Sequence, residues 1–341
     1  MNKTVKVADA IGMVLAHDIT EIRQGEHKGR AFKKGHVVRP EDVDHLKRLG
    51  KNHLYVLDIG PGSLHEDEAA AILADAFCGA GVMGAGEPKE GKIELTARHD
   101  GLLKVDVDAL TEVNLLGDIM CASLHTNTVA KEGMVVAATR SIPLVAAAEF
   151  VEKAADIGRK RGGLFRVLPF RKARAGLIIT GNEVYEHLIE DKFEAVFRKK
   201  IANMGSEVFG VAFAPDDPGI IEQEIRKFLA DGADLIMTSG GMSVDPDDVT
   251  RQGIRQVGGE VAMYGAPVLP GAMFMISYVG GVPILGVPAC GMFYSITILD
   301  LVLPRVLAGE VLTRRDIAAL GHGGMCLNCA TCRYPVCPFG K

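Results

Sequence analysis

Between Arg174 and Thr238 the chain alternates short apolar runs with segments of helical period, and this alternation constrains the fold more than any other feature. Ala175–Thr180, Glu207–Ala214 and Asp234–Thr238 read as strands, whereas Asp191–Met204 and Pro218–Ala230 read as helices. In the second helix Ile221, Ile225, Phe228 and Leu229 share one face, Asp217 stands at the N-cap, and Gly232 follows the end. A parallel partner strand is reached only through a crossover, so this spacing implies parallel βαβ units. The expectation is an α/β domain of three layers with a mostly parallel sheet, binding its ligand at the carboxyl ends of the strands. Three loops fall at such ends: TGNE after the first strand, APDDP after the second and TSGGMS after the third.

The third loop carries the most chemistry. Gly240 and Gly241 open backbone conformations closed to residues with a Cβ, so consecutive N–H groups can point at one phosphate, with the Ser239 and Ser243 hydroxyls beside them. Asp245, Asp247 and Asp248 follow. Carboxylates beside a phosphate cradle make sense where a divalent cation sits between them or a polyol is held. A Gly-Gly turn at a strand end with a solvated acidic loop is the structural alternative.

Taken in order, these segments resemble the molybdopterin-binding domain family of molybdenum cofactor biosynthesis, which includes the molybdenumtransferases and the C-terminal domain of gephyrin. The residues carrying the resemblance are AGLIITGNE (Ala175 to Glu183), APDDP (Ala214 to Pro218), TSGGMS with Asp248-Val249-Thr250, and GGVPILGVPACGMFYS (Gly280 to Ser295). The resemblance implies a pterin, in free or adenylylated form, held by Thr180, Gly181, Asn182, Ser239, Gly240, Gly241, Ser243, Pro288 and Cys290. It further implies Glu183, Asp217 and Asp248 as the acids around the pterin or the incoming metal oxyanion, with Mg²⁺ as the bridging ion. By their residue types alone, Glu183 also suits a helix start and Asp217 an N-cap. Three positions depart from the family pattern. Asn182 replaces an aspartate; Leu269-Pro270-Gly271-Ala272-Met273 stands where two lysines are usual; and Ala289-Cys290-Gly291 replaces a Gly-Asn-Pro turn.

The remainder of the 341 residues divides by composition. Residues 1–60 resemble the opening of the molybdenumtransferase chain but lack its D-x-S-x-x-D-G-Y-A motif; 61–158 read as an α+β domain with an Ala-rich helix at Glu66 to Phe77 and a hairpin around His99-Asp100-Gly101; 159–174 form a basic linker; 175–309 are the pterin-type domain. Smaller α+β domains thus precede the sheet domain. A balance of 38 Lys and Arg against 43 Asp and Glu, net −5, argues against a general nucleic-acid binder. The segment Ile296 to Leu307 is too short to cross a membrane and carries Asp300 and Pro304, and the N-terminus shows no apolar leader core, so a cytoplasmic protein is expected.

Residues 310–341 hold Cys326, Cys329, Cys332 and Cys337, four of the seven cysteines, in the pattern Cys-x2-Cys-x2-Cys-x4-Cys-Pro. Thiolates at two-residue spacing gather around one centre, so Zn²⁺ or an iron–sulfur cluster is expected there. Two functions follow. The chain is a molybdopterin-binding protein of molybdenum or tungsten cofactor biosynthesis that inserts metal with Mg²⁺, or it is a carrier, chaperone or sensor that keeps the pterin cradle without turnover. A remote nucleotide pyrophosphate hydrolase is a third reading. The partners expected are the pterin, a metal oxyanion and further copies of the chain, as dimer or trimer.

Overall fold

The computed structural model describes residues 2–23, 27–57, 59–243 and 245–341; Val244 of the acidic loop lies outside them. The chain forms two compact units, one within residues 1–167 and one made mainly of Leu168–Lys341 with the short pieces Asp100–Leu102 and His125–Val129.

The first unit has two apolar cores. Val7, Leu15, Ile19, Leu46, Leu54 and Val56 form the smaller, under a three-stranded antiparallel sheet of Asn2–Lys6, His53–Leu57 and Val14–Leu15. The larger gathers Leu73, Phe77, Leu95, Val136 and Val151 around the helices Glu66–Phe77 and Ala148–Arg161 and a four-stranded sheet. The Ala-rich helix spans the residues its composition indicates. The hairpin does not lie where the sequence reading places it. Val82–Lys89 turns back on Lys92–Ala97 at Glu90-Gly91, both left-handed with φ of 54° and 70°, whereas Lys92–Ala97 and Gly101–Val105, on either side of His99-Asp100-Gly101, belong to different sheets. Arg159 and Arg161 of the basic run belong to the end of a helix that Gly162 closes at φ 66°.

The second unit is built on a six-stranded sheet in the order Glu207–Ala214, Arg174–Thr180, Leu235–Ser239, Val282–Val287, Met275–Val279, Glu260–Tyr264. Its first four strands run parallel and the last two are antiparallel additions. Alternate residues of the inner strands point to opposite faces, and both faces are covered. Leu177, Ile179, Leu235 and Met237 pack with Phe193, Phe197, Leu299 and Val302 from the helices Phe193–Ala202 and Ile298–Leu307. Ile178 and Ile236 pack on the other side with Ile221, Ile225, Phe228 and Ile254 from Pro218–Ala230 and Thr250–Gln256. This is the three-layer α/β arrangement. Gly176 and Gly210 are required by it, since a Cβ at either would lie 2.8 Å or less from the Phe228 ring. Among the described residues no helix is long and apolar enough to cross a membrane.

Candidate ligand pocket at the strand ends

The parallel strands deliver their loops to one end of the sheet, as expected for a doubly covered α/β layer. At the centre, Leu235–Ser239 runs into Gly240 and Gly241, with φ of 74° and 55°. Space as well as φ demands glycine. A Cβ on Gly240 would stand 2.8 Å from the Thr180 carbonyl oxygen, and one on Gly241 would overlap Thr250 Oγ1 and lie 3.0 Å from Thr250 Cβ. Thr180 Oγ1 donates to the Ser239 carbonyl and lies 2.9 Å from Thr250 Oγ1, so the ends of two neighbouring strands and the start of the helix Thr250–Gln256 are locked around the glycine turn. Tyr264 steadies it from the sheet edge: its hydroxyl donates to the Met242 carbonyl at 2.8 Å, with the Arg251 guanidinium 4.3 Å from its ring centre.

Beyond the turn opens a pocket of about 520 Å³. Its walls are residues 241–243 with Asp248, the loop 269–273, the turn 288–290 with Tyr294, and Met325, Cys326 and Asn328 from the tail. Among the described residues Asp248 is the one charged side chain on those walls; apolar residues and five sulfur-bearing ones, Met242, Met273, Cys290, Met325 and Cys326, make up much of the rest. Thr180, Gly181, Asn182 and Gly240 are not among its walls; of the expected binding residues, Gly241, Ser243, Pro288 and Cys290 line this pocket, as does Asp248 of the expected acids. Ser239 does not: it is wholly buried, and its hydroxyl, like that of Thr238, has no partner among the described residues. Burial pushes the Cys290 thiol above its usual value.

A second group of acids lies on the neighbouring loops. The Asn182 amide nitrogen donates to Asp216 Oδ2 at 2.9 Å and the Asp216 nitrogen donates back to Asn182 Oδ1 at 3.0 Å, which ties the TGNE and APDDP loops together. Burial raises the Asp216 carboxyl above its usual value; the Asn182 N–H opposes this, while the charges of Glu183, Asp247 and Asp248 add to it. The three strand-end loops therefore share one electrostatic field. Asp217, one of the three acids expected, makes the N-cap that its residue type also suits: its Oδ1 accepts the Gly219 and Ile220 amides at 2.8 and 2.9 Å. Pro218 at the first helical position assigns the cap to Asp217, and Asp216 makes the contact between the loops. The Glu183 carboxylate folds over Gly181, approaching the position of a Cβ there to 3.0 Å.

The tail is part of this domain. Met325 bridges Leu269 in parallel, the Cys326 amide donating to the Leu269 carbonyl and the Leu269 amide to that of Gly324, both at 2.8 Å. Phe339 sits in the core with Leu301 and Ile317. Cys326, Cys329, Cys332 and Cys337 all line a second hollow of about 160 Å³, which shares Tyr294, Cys326 and Asn328 with the larger pocket. Among the described residues no three His, Cys, Asp or Glu side chains are arranged to hold a metal ion. A Mg²⁺ among the acids and a Zn²⁺ among the tail thiols thus lack, among the described residues, the ready-made ligand set that the sequence suggests, and Asp217 is spent on its cap. The other cysteines are packing groups; burial pushes Cys78 up to about 11 and Cys121 up to about 12.

Residues 176–308 match the family described as a probable molybdopterin binding domain, and residues 4–58 match a domain of unknown function. A CinA-like protein of Mycobacterium sp. (strain JLS) is 37% identical over 78 residues, and one of Mycobacterium tuberculosis 36% over the same length; each match takes in 23% of this chain and 18% of the relative. Among solved structures, the molybdopterin biosynthesis enzyme MoaB of Thermus thermophilus overlays 40% of this chain on 98% of its own at 22% identity and TM-score 0.34. The molybdopterin biosynthesis MoeA protein of Pyrococcus horikoshii overlays 91% of this chain on 75% of its own at 15% identity and TM-score 0.35.

Proposed function

We propose that the pocket at the strand ends binds the phosphorylated pterin of the molybdenum or tungsten cofactor, free or adenylylated, and that the chain carries or presents this ligand without inserting the metal. The observation carrying this reading is the lining of the 520 Å³ pocket: a glycine turn, apolar and sulfur-bearing side chains, and one carboxylate, with no lysine or arginine among the described residues. A flat heterocycle suits such walls, with Asp248 accepting from ring N–H groups and the turn's backbone facing a phosphate. An incoming oxyanion such as molybdate would find no cation there to receive it, because the loop that normally carries two lysines reads Leu269-Pro270-Gly271-Ala272-Met273. A thiolate-bound metal in the tail and association into dimers or trimers belong to the same reading.

The acids at Glu183, Asp216, Asp247 and Asp248 favour a second reading, metal insertion with Mg²⁺ recruited by the substrate's own phosphates. One experiment separates the two. The protein is incubated with adenylylated molybdopterin, molybdate and Mg²⁺, and both retained pterin and released AMP are measured. Stoichiometric retention without AMP is the expected result. Catalytic release of AMP would replace the carrier by the enzyme, and absence of both pterin retention and AMP release would end both readings.

A further inference from the structure

The small hollow in the tail is lined by four cysteines. A single tetrahedral ion bound at about 2.3 Å would draw its thiolates to within about 4 Å of one another. No such gathering exists among the described residues, yet all four tail cysteines line one hollow of about 160 Å³. Four cysteines around one hollow would suit a polynuclear centre, which brings its own bridging sulfides. The spacing Cys-x2-Cys-x2-Cys-x4-Cys-Pro is the ferredoxin type of run with one residue added before the last cysteine, and Cys337 returns to the same hollow as the other three. Asn328, left-handed at φ 49°, aims its amide at Cys326 Sγ at 3.4 Å, the kind of N–H to sulfur contact that stabilises a cluster thiolate. The hollow also rests on the domain: Phe339 is buried in its core and the Gly340 amide donates to Gly323 at 3.0 Å.

We propose that Cys326, Cys329, Cys332 and Cys337 hold an iron–sulfur cluster, and that the cluster fixes the Cys326–Asn328 wall common to both cavities, so that cluster occupancy sets the affinity of the larger pocket. The second half rests on the pterin reading above; the first half does not. The full-length protein is purified anaerobically, reconstituted with ferrous iron and sulfide, and analysed for iron, acid-labile sulfide and zinc, with its visible and electron paramagnetic resonance spectra recorded. About four irons and about four sulfides per chain are expected. C329S and C332S should lose them while C290S, altered only in the larger pocket, keeps them; unchanged circular dichroism separates loss of a ligand from loss of the fold. Stoichiometric zinc without iron, or no metal at all after reconstitution, overturns the cluster.

Molybdopterin binding is then compared between the reconstituted protein and the same protein stripped by chelator. At least a tenfold weakening on stripping is expected, and equal affinity refutes the coupling. Binding in neither state refutes the pterin reading and the coupling with it, while the cluster stands or falls on its iron and sulfide.

Discussion

Alanine at position 241 should be among the most costly single-methyl additions in the domain. Gly241 sits at φ 55°, where a residue with a Cβ costs about 1–2 kcal/mol. The new methyl would also overlap Thr250 Oγ1 and come within 3.1 Å of the Thr250 nitrogen, and overpacking of this kind adds about 1–3 kcal/mol. The sum is about 2–5 kcal/mol for G241A. Gly232 is the internal control: it has φ 85° but nothing within 4 Å of a Cβ, so G232A should show the conformational part alone, about 1–2 kcal/mol. Because most of the overlap is with one hydroxyl oxygen, T250A should relieve it despite losing the 2.9 Å contact with Thr180, and the double mutant should be more stable than the sum of the singles predicts by about 1–2 kcal/mol. Urea unfolding of the four variants measures all of this. If G241A costs no more than G232A, or if T250A gives no relief, the claim that the strand ends are interlocked through this glycine is wrong.

Asp217 and Asp248 should behave oppositely: D217A loses about 1 kcal/mol of stability with pterin retention intact, whereas D248A leaves stability within about 0.5 kcal/mol and lowers pterin affinity, as read by urea melts and ligand titration. Asp216 gives a pH signature. Its carboxyl is raised in the folded state, so the native protein holds this proton more tightly than the unfolded chain, and its contribution is favourable at low pH and is lost as pH rises from the ordinary carboxylate value through the elevated one. D216N should therefore gain stability relative to the parent as pH increases through that interval and match it below; a gain that instead grows on acidification contradicts the assignment.

What could be read from the sequence was local. The helix Pro218–Ala230 and the strand Glu207–Ala214 fall on the residues indicated, because cap, period and breaker all lie within a few positions of each other. The convergence of the three loops also followed from topology, since parallel strands leave no other end for them. The rest depends on partners far along the chain. Asp216 differs from Asp217 only by whom it faces, Asn182 being 34 residues away. The hairpin at Glu90-Gly91 requires a glutamate in a left-handed conformation, which composition does not announce. Nothing in the cysteine spacing of the tail reveals that Met325 pairs with Leu269, the contact that sets Cys326, alone of the four, in one cavity with the loop Leu269-Pro270-Gly271-Ala272-Met273.

The strand order has a consequence for how the domain is made. Val282–Val287, the last of the parallel strands to leave the ribosome, is an interior one, paired with Leu235–Ser239 on one side and with Met275–Val279 on the other. Until it arrives, the third strand has a bare apolar edge, and pairings separated by some fifty residues must form without help from local contacts. Slow maturation and a demand for chaperone protection during synthesis are the expected costs, and chains halted before residue 282 should aggregate rather than fold into a smaller version of the same sheet.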